Sequence, residues 1–101
     1  MFILSIDAPG AGAARLRLQG HLDDAGAREV LHAAADVVKS GCSRLVVDLD
    51  GLTTYDPAAA YAVVGCARLG RWMAQGVDVV ADSGPARDLA ELAGLASALP
   101  A

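Results

Sequence analysis

The sequence predicts an α/β fold: a mixed four-stranded sheet with helices packed mainly on one face. Three observations carry that expectation. Short β-branched or alternating runs are each closed by Gly or Pro, two alanine-rich stretches repeat apolar residues at three- and four-residue steps, and the elements follow the order β-β-α-β-α-β-α. Two opening strands with no helix between them imply a hairpin. Later strands separated by helices imply parallel pairing through right-handed crossovers.

Residues 2–6 alternate weakly and read as a first strand, while 8–12, with Pro9 and two glycines, read as a loop. Residues 15–20 alternate polar and apolar and pair with the first strand. A helix begins near Asp23 and Asp24, one of which caps it, and carries Ala27, Val30, Leu31, Ala34, Val37 and Val38 on one face. Gly41 suits its C′ position. Residues 44–49 are almost continuously apolar, which predicts a central strand buried on both faces and ending in an acidic turn over 48–51.

Asp56 stands where a second helix needs an N-cap, and Pro57 fills the first helical position, which wastes no N–H. That helix is expected over 57–75, burying Ala60, Val63, Val64, Ala67 and Met73, with Tyr61, Gly65, Arg68 and Trp72 on another face. Tyr61 and Trp72 are either a protein-binding anchor, if exposed together, or ordinary core. Gly76 closes the helix, 77–81 form a fourth strand, and Ser83-Gly84-Pro85 starts a short helix carrying Leu89 and Leu92 and ending at Gly94. Residues 95–101 are expected to pack as a last turn. With no repeat or linker, residues 1–101 read as one domain.

Composition narrows the function. The chain of 101 residues is 54% hydrophobic but only 4% aromatic, so its mean hydropathy of +0.41 reflects alanine and close packing. The longest uncharged run, 57–67, is well short of the ~20 residues a bilayer requires. The start lacks a basic segment and turns acidic at Asp7, unlike a signal peptide, so a cytoplasmic protein is expected. Net charge is −4, and the eight basic residues are scattered singly, which argues against a nucleic-acid partner. Cys42 and Cys66 have no ligand-spaced companions and read as reduced packing thiols.

Catalytic groups are not apparent. Asp48, Asp50 and Asp56 lack the paired early acids and late lysine of a receiver-type metal pocket, so turn and cap roles are expected of them, with no metal and no cofactor. His32 and Asp36 read as a surface pair, and His21 has no evident nucleophile beside it. Gly10 and Gly12 precede a strand and lack the third glycine of a dinucleotide fingerprint. An enzyme is therefore not expected. A helix start beside a strand's carboxyl end instead suggests binding, either of a protein or of a small molecule or anion at the second helix's N-terminus.

Four segments in order sharpen this. They are Arg17-Leu18-Gln19-Gly20-His21-Leu22-Asp23, Arg44-Leu45-Val46-Val47-Asp48-Leu49, Asp56 with the residues after it, and Pro85-Ala86-Arg87-Asp88-Leu89 with Gly94-Leu95. Together the chain resembles the STAS family, the domain of anti-sigma factor antagonists and of sulfate-transporter C-termini, over nearly its whole length. The resemblance implies a bacterial, non-enzymatic, transcription-regulating protein-binding module, with an anti-sigma factor or an ATPase-type kinase as partner; a homodimer stays open. It implies partner contacts at Asp23, Asp24, Asp56, Pro57, Ala58, Ala59 and Tyr61. In family members that switch, a serine after the Asp is phosphorylated; here Pro57, Ala58 and Ala59 replace Ser-Ser-Gly, with Ala58 at the acceptor position. Alanine cannot take a phosphate, and hydroxyls at Thr53, Thr54 and Tyr55 lie just upstream.

Overall fold

A computed structural model describes residues 1–10 and 12–94. Strands β1 (Phe2–Gly10) and β2 (Ala13–Leu22) form the hairpin, and helix α1 (Asp24–Lys39) crosses to β3 (Arg44–Tyr55). A 3-10 turn (Pro57–Ala59) leads into α2 (Ala60–Leu69), a second 3-10 turn (Gly70–Trp72) follows it, and then come β4 (Val77–Val80) and α3 (Gly84–Leu92). Sheet order is β1-β2-β3-β4, antiparallel for the first pair and parallel for the other two. The mixed four-stranded sheet is thus as the sequence predicts. The last turn expected at 95–101 lies outside the described residues.

Alternation decides which face is covered. Leu16 and Leu18 of β2, Leu45, Val47 and Leu49 of β3, and Val30 of α1, Val63 and Cys66 of α2 and Leu89 of α3 are all but inaccessible. Each such large side chain contributes about 1.5–3 kcal/mol on burial. The opposite face carries charge: Arg15 reaches Asp48 at 2.6 Å, Arg44 reaches Asp78 at 2.6 Å, and Arg17 lies 3.6 Å from Asp7. The expectation that β3 is buried on both faces therefore holds only at Asp48, which is 9% exposed beneath the Arg15 guanidinium, while Val46 is half-buried.

Several boundaries differ from the sequence reading, each for a physical reason. β1 continues through the expected loop at 8–10, because its partner β2 also extends and pairs Gly10 with Ala13. No acidic turn forms at 48–51. Asp48 accepts from Arg15 and from the Asp50 amide at 3.0 Å, and Asp50 accepts from the amides of Asp82 and Ser83 at 2.6 and 3.0 Å, so both acids stay within the strand. The irregularity appears instead as slips in the β2–β3 register, between Arg17 and Gln19 and between Gly20 and His21. These slips let Leu49 and Leu52 both face inward, which strict alternation forbids. Gly51 is required there, since a Cβ would lie 2.7 Å from the Leu18 carbonyl oxygen.

Helix α1 matches its predicted face and stops before Gly41, whose φ is +86°. His32 and Asp36 make no ion pair among the described residues; Arg28 and Asp24 form one instead, at 2.6 Å. The second helix is shorter than expected and its buried stripe is rotated. Ala59, Ala62, Val63, Cys66 and Met73 are buried, while Ala60, Val64 and Ala67 are only partly covered. The cause is the packing of α2 on α1, where Gly65 leaves room for Leu31.

Gly20 has φ +87° and passes so close to the Met1 carbonyl that a Cβ would collide with it. Gly20→Ala is expected to lower stability by about 2 kcal/mol, read from the urea midpoint at unchanged m. The buried Cys66 thiol is pushed up from 9.0 to about 12 by desolvation. It favours the folded state fully below its unfolded pKa, and that contribution is lost as pH rises from 9.0 towards about 12. Unfolding free energy should therefore fall across that window by at most about 1.4 kcal/mol per pH unit more steeply than in Cys66→Ala, measured by urea titration at several pH values.

Candidate functional site

β2 and β3 run in parallel to the same end of the sheet. Leu22 pairs with Tyr55, and the Asp56 amide then donates to the Leu22 carbonyl at 2.9 Å. Both chains turn into helices directly afterwards, so the first turns of α1 and α2 lie side by side. Asp23 caps α1, its carboxylate accepting from the Gly26 amide at 2.8 Å. Asp24 points outward and accepts from Arg28 at 2.6 Å and from the Tyr61 hydroxyl at 3.0 Å, which ties α1 to α2. Partial desolvation, then the Asp24 hydrogen bond and charge, raise the Tyr61 phenol above its ordinary value, with Arg28 opposing.

A second chain of contacts lies alongside. His21 Nδ1 is 2.7 Å from Thr54 Oγ1, and its Nε2 is 3.4 Å from Asp56 Oδ1. The parallel register places His21 opposite Thr54, which fixes the ring between hydroxyl and carboxylate. His21, Thr54 and Arg28 were not among the site residues expected from sequence. The signal for His21 and Thr54 was present only as positions near the ends of two strands, whose pairing the sequence alone does not reveal, whereas Arg28 follows Asp24 at the four-residue spacing of a helical ion pair.

The second helix does not begin as expected. Asp56 has the extended backbone of an N-cap, but its side chain makes no capping bond and turns to His21. The capping role expected of it is corrected accordingly. Pro57 occupies the first helical position, as predicted. Pro57 and Ala58 are exposed, whereas Ala59 is fully buried and packs into the core, so a direct partner contact through its side chain is ruled out. The amides of Ala59 and Ala60 bond to the Asp56 and Pro57 carbonyls. Pro57 has none, so in this first turn only the Ala58 amide is left for an anion, beside the Asp56 carboxylate. Thr53, Thr54 and Tyr55 belong to β3.

Taken together, the exposed atoms here can donate and accept hydrogen bonds and present negative charge beside a turn of small residues. Among the described residues, no group of three His, Cys, Asp or Glu side chains is placed to hold a metal, and no helix is long and apolar enough to cross a membrane.

Comparison with known proteins bears on this site. The family model described as "Mlab, STAS domain" matches residues 7–100. No curated protein matches the chain. Among solved structures, an anti-sigma factor antagonist from Mycobacterium paratuberculosis is similar with a TM-score of 0.80 at 22% identity, covering 99% of this chain and 84% of that one. The anti-sigma factor antagonist SpoIIAA in its unphosphorylated form gives 0.75 at 17% identity, with 94% and 84% covered. The phosphorylated form of the Bacillus cell fate determinant SpoIIAA gives 0.73 at 15%, with 94% and 86% covered. At these identities the likeness to the solved structures is one of fold.

The Tyr61–Asp24 contact is testable by absorbance titration of the phenol in a Tyr55→Phe background. Tyr61 should ionise above the ordinary tyrosine range of about 10, and Asp24→Asn should bring it down towards that range. An unchanged titration in Asp24→Asn would mean that the two side chains do not meet in solution.

Proposed function

The chain belongs to the STAS domain family, and we propose that it is a non-enzymatic docking module of the anti-sigma factor antagonist type, acting in the cytoplasm of a bacterium. Its partner is an anti-sigma factor or an ATPase-type kinase. The docking surface is the shared end of β2 and β3, where Asp24, Asp56, Pro57, Ala58 and Tyr61 present side chains and Asp23 supports them by holding the first turn of α1.

One observation carries this reading: Pro57 and Ala58 lie exposed beside Asp56 at the helix start where the family places its switching serine. With Ala58 at the acceptor position, phosphate cannot add its charge of about −1.5 to −2 to this surface. The module is then permanently competent, and any control acts on its partner or its abundance. Binding of an anion at this helix start has weaker support, because the Ala59 and Ala60 amides are already bonded within the turn.

Calorimetry with purified anti-sigma factors and ATPase-type kinases of the same genome tests the proposal. The wild type should bind at least one of them, and Ala58→Glu should weaken that complex about tenfold, or about 1.4 kcal/mol. Incubation with the kinase and ATP should leave the wild type unmodified by mass spectrometry, while Ala58→Ser gains one phosphate. Binding to none of these proteins would overturn the proposal, as would phosphorylation of the wild type that abolishes the complex.

A further inference from the structure

A second patch lies at the other end of α2, about 15 Å along the helix axis from its start. Trp72, the only tryptophan of the chain, is 72% exposed and is the most exposed large aromatic side chain. It sits at the end of the 3-10 turn Gly70–Trp72, with Arg71 before it and Arg68 four residues earlier, and both arginines are exposed. The turn is held firmly: the Met73 amide bonds to the Gly70 carbonyl at 3.1 Å, Met73 is buried, and Gly70 packs against the backbone of Val77. Trp72 is therefore displayed on a fixed support.

The charge pattern identifies what this patch fits. Arg15, Arg17, Arg28 and Arg44 each pair with an aspartate, whereas Arg68, Arg71 and Arg87 pair with no acid among the described residues, and of these three Arg68 and Arg71 lie beside Trp72 in the chain. In a chain of net charge −4, they form a local positive field around an aromatic side chain. Tryptophan and arginine are the residues that most often dominate protein interfaces, and an unpaired guanidinium recognises carboxylates with directed hydrogen bonds. We propose that Trp72, Arg68 and Arg71 form a second protein-docking surface, separate from the shared end of β2 and β3, that takes an acidic segment carrying an apolar side chain. An anionic lipid surface is the poorer occupant, because two arginines fall short of the cluster of about four to eight cations that such a surface calls for.

Because Trp72 is the sole tryptophan, its emission reports on the patch directly. The probe is a synthetic peptide of alternating Glu and Leu, with a Lys-Leu peptide of the same length as control. The Glu-Leu peptide should shift Trp72 emission to the blue in a saturable way, and binding should weaken as salt rises. Followed by anisotropy of labelled peptide, Trp72→Ala and the double variant Arg68→Glu/Arg71→Glu should each bind about tenfold more weakly. Arg87→Glu, an equal charge change on α3, should bind as the wild type does. All four positions are exposed, so circular dichroism of the variants should match the wild type. The proposal is overturned if Trp72 emission does not respond, if the Lys-Leu peptide binds equally, or if Arg87→Glu weakens binding as much. It is equally overturned if phosphatidylglycerol vesicles shift the emission where the peptide does not, or if emission changes with protein concentration alone, which would mean that a second copy covers the patch.

Discussion

The parallel pairing of β2 with β3, carried to the last residue of both strands, is the constraint on which the rest depends. It ends in the bond from the Asp56 amide to the Leu22 carbonyl at 2.9 Å. Because of it, α1 and α2 begin next to each other, and His21 meets Thr54 and Asp56 while Tyr61 meets Asp24. A parallel pair reaches this geometry only by taking up two register slips, one of which passes Gly51 against the Leu18 carbonyl. Local irregularity in the centre of the sheet thus positions the surface at its end.

Five aspartates of this chain divide into two groups by what satisfies them. Asp23 holds an amide of α1, Asp48 is covered by Arg15, and Asp50 secures the start of α3. Such groups stay in place because a buried or half-buried carboxylate without partners would cost more than the fold can offset. Asp24 and Asp56 differ, since both remain accessible to a partner while fixed by a single neighbouring side chain or two. An acidic surface built from anchored side chains loses little entropy on binding, which favours recognition over chemistry.

The two surfaces of α2 contrast in the same terms. The 3-10 turn that leads into it is small, hydroxyl-free and flanked by acid; the 3-10 turn that follows it carries an exposed tryptophan beside arginines that pair with no acid among the described residues. Fold family membership describes only the first. A helix that carries opposite electrostatic character at its two ends can engage two partners without either displacing the other.

Composition and periodicity by themselves determined the order of elements, the hairpin, the central place of β3, a cap at either Asp23 or Asp24, and Pro57 at a helix start. Each of these follows from local propensity or from a single repeating pattern of burial. The length of β3, the rotation of the buried stripe on α2, the burial of Ala59 and the turn of Asp56 towards His21 were decided only by tertiary structure. Residues 48–51 carry the composition of a turn, yet three partners distant in sequence, Arg15 and the amides of Asp82 and Ser83, satisfy their acids and keep them extended. Likewise His21 and Thr54 are 33 residues apart, and nothing in either segment announces the other. Local chemistry is written in the chain, whereas a contact between two strand ends exists only once the register that brings them together has been set.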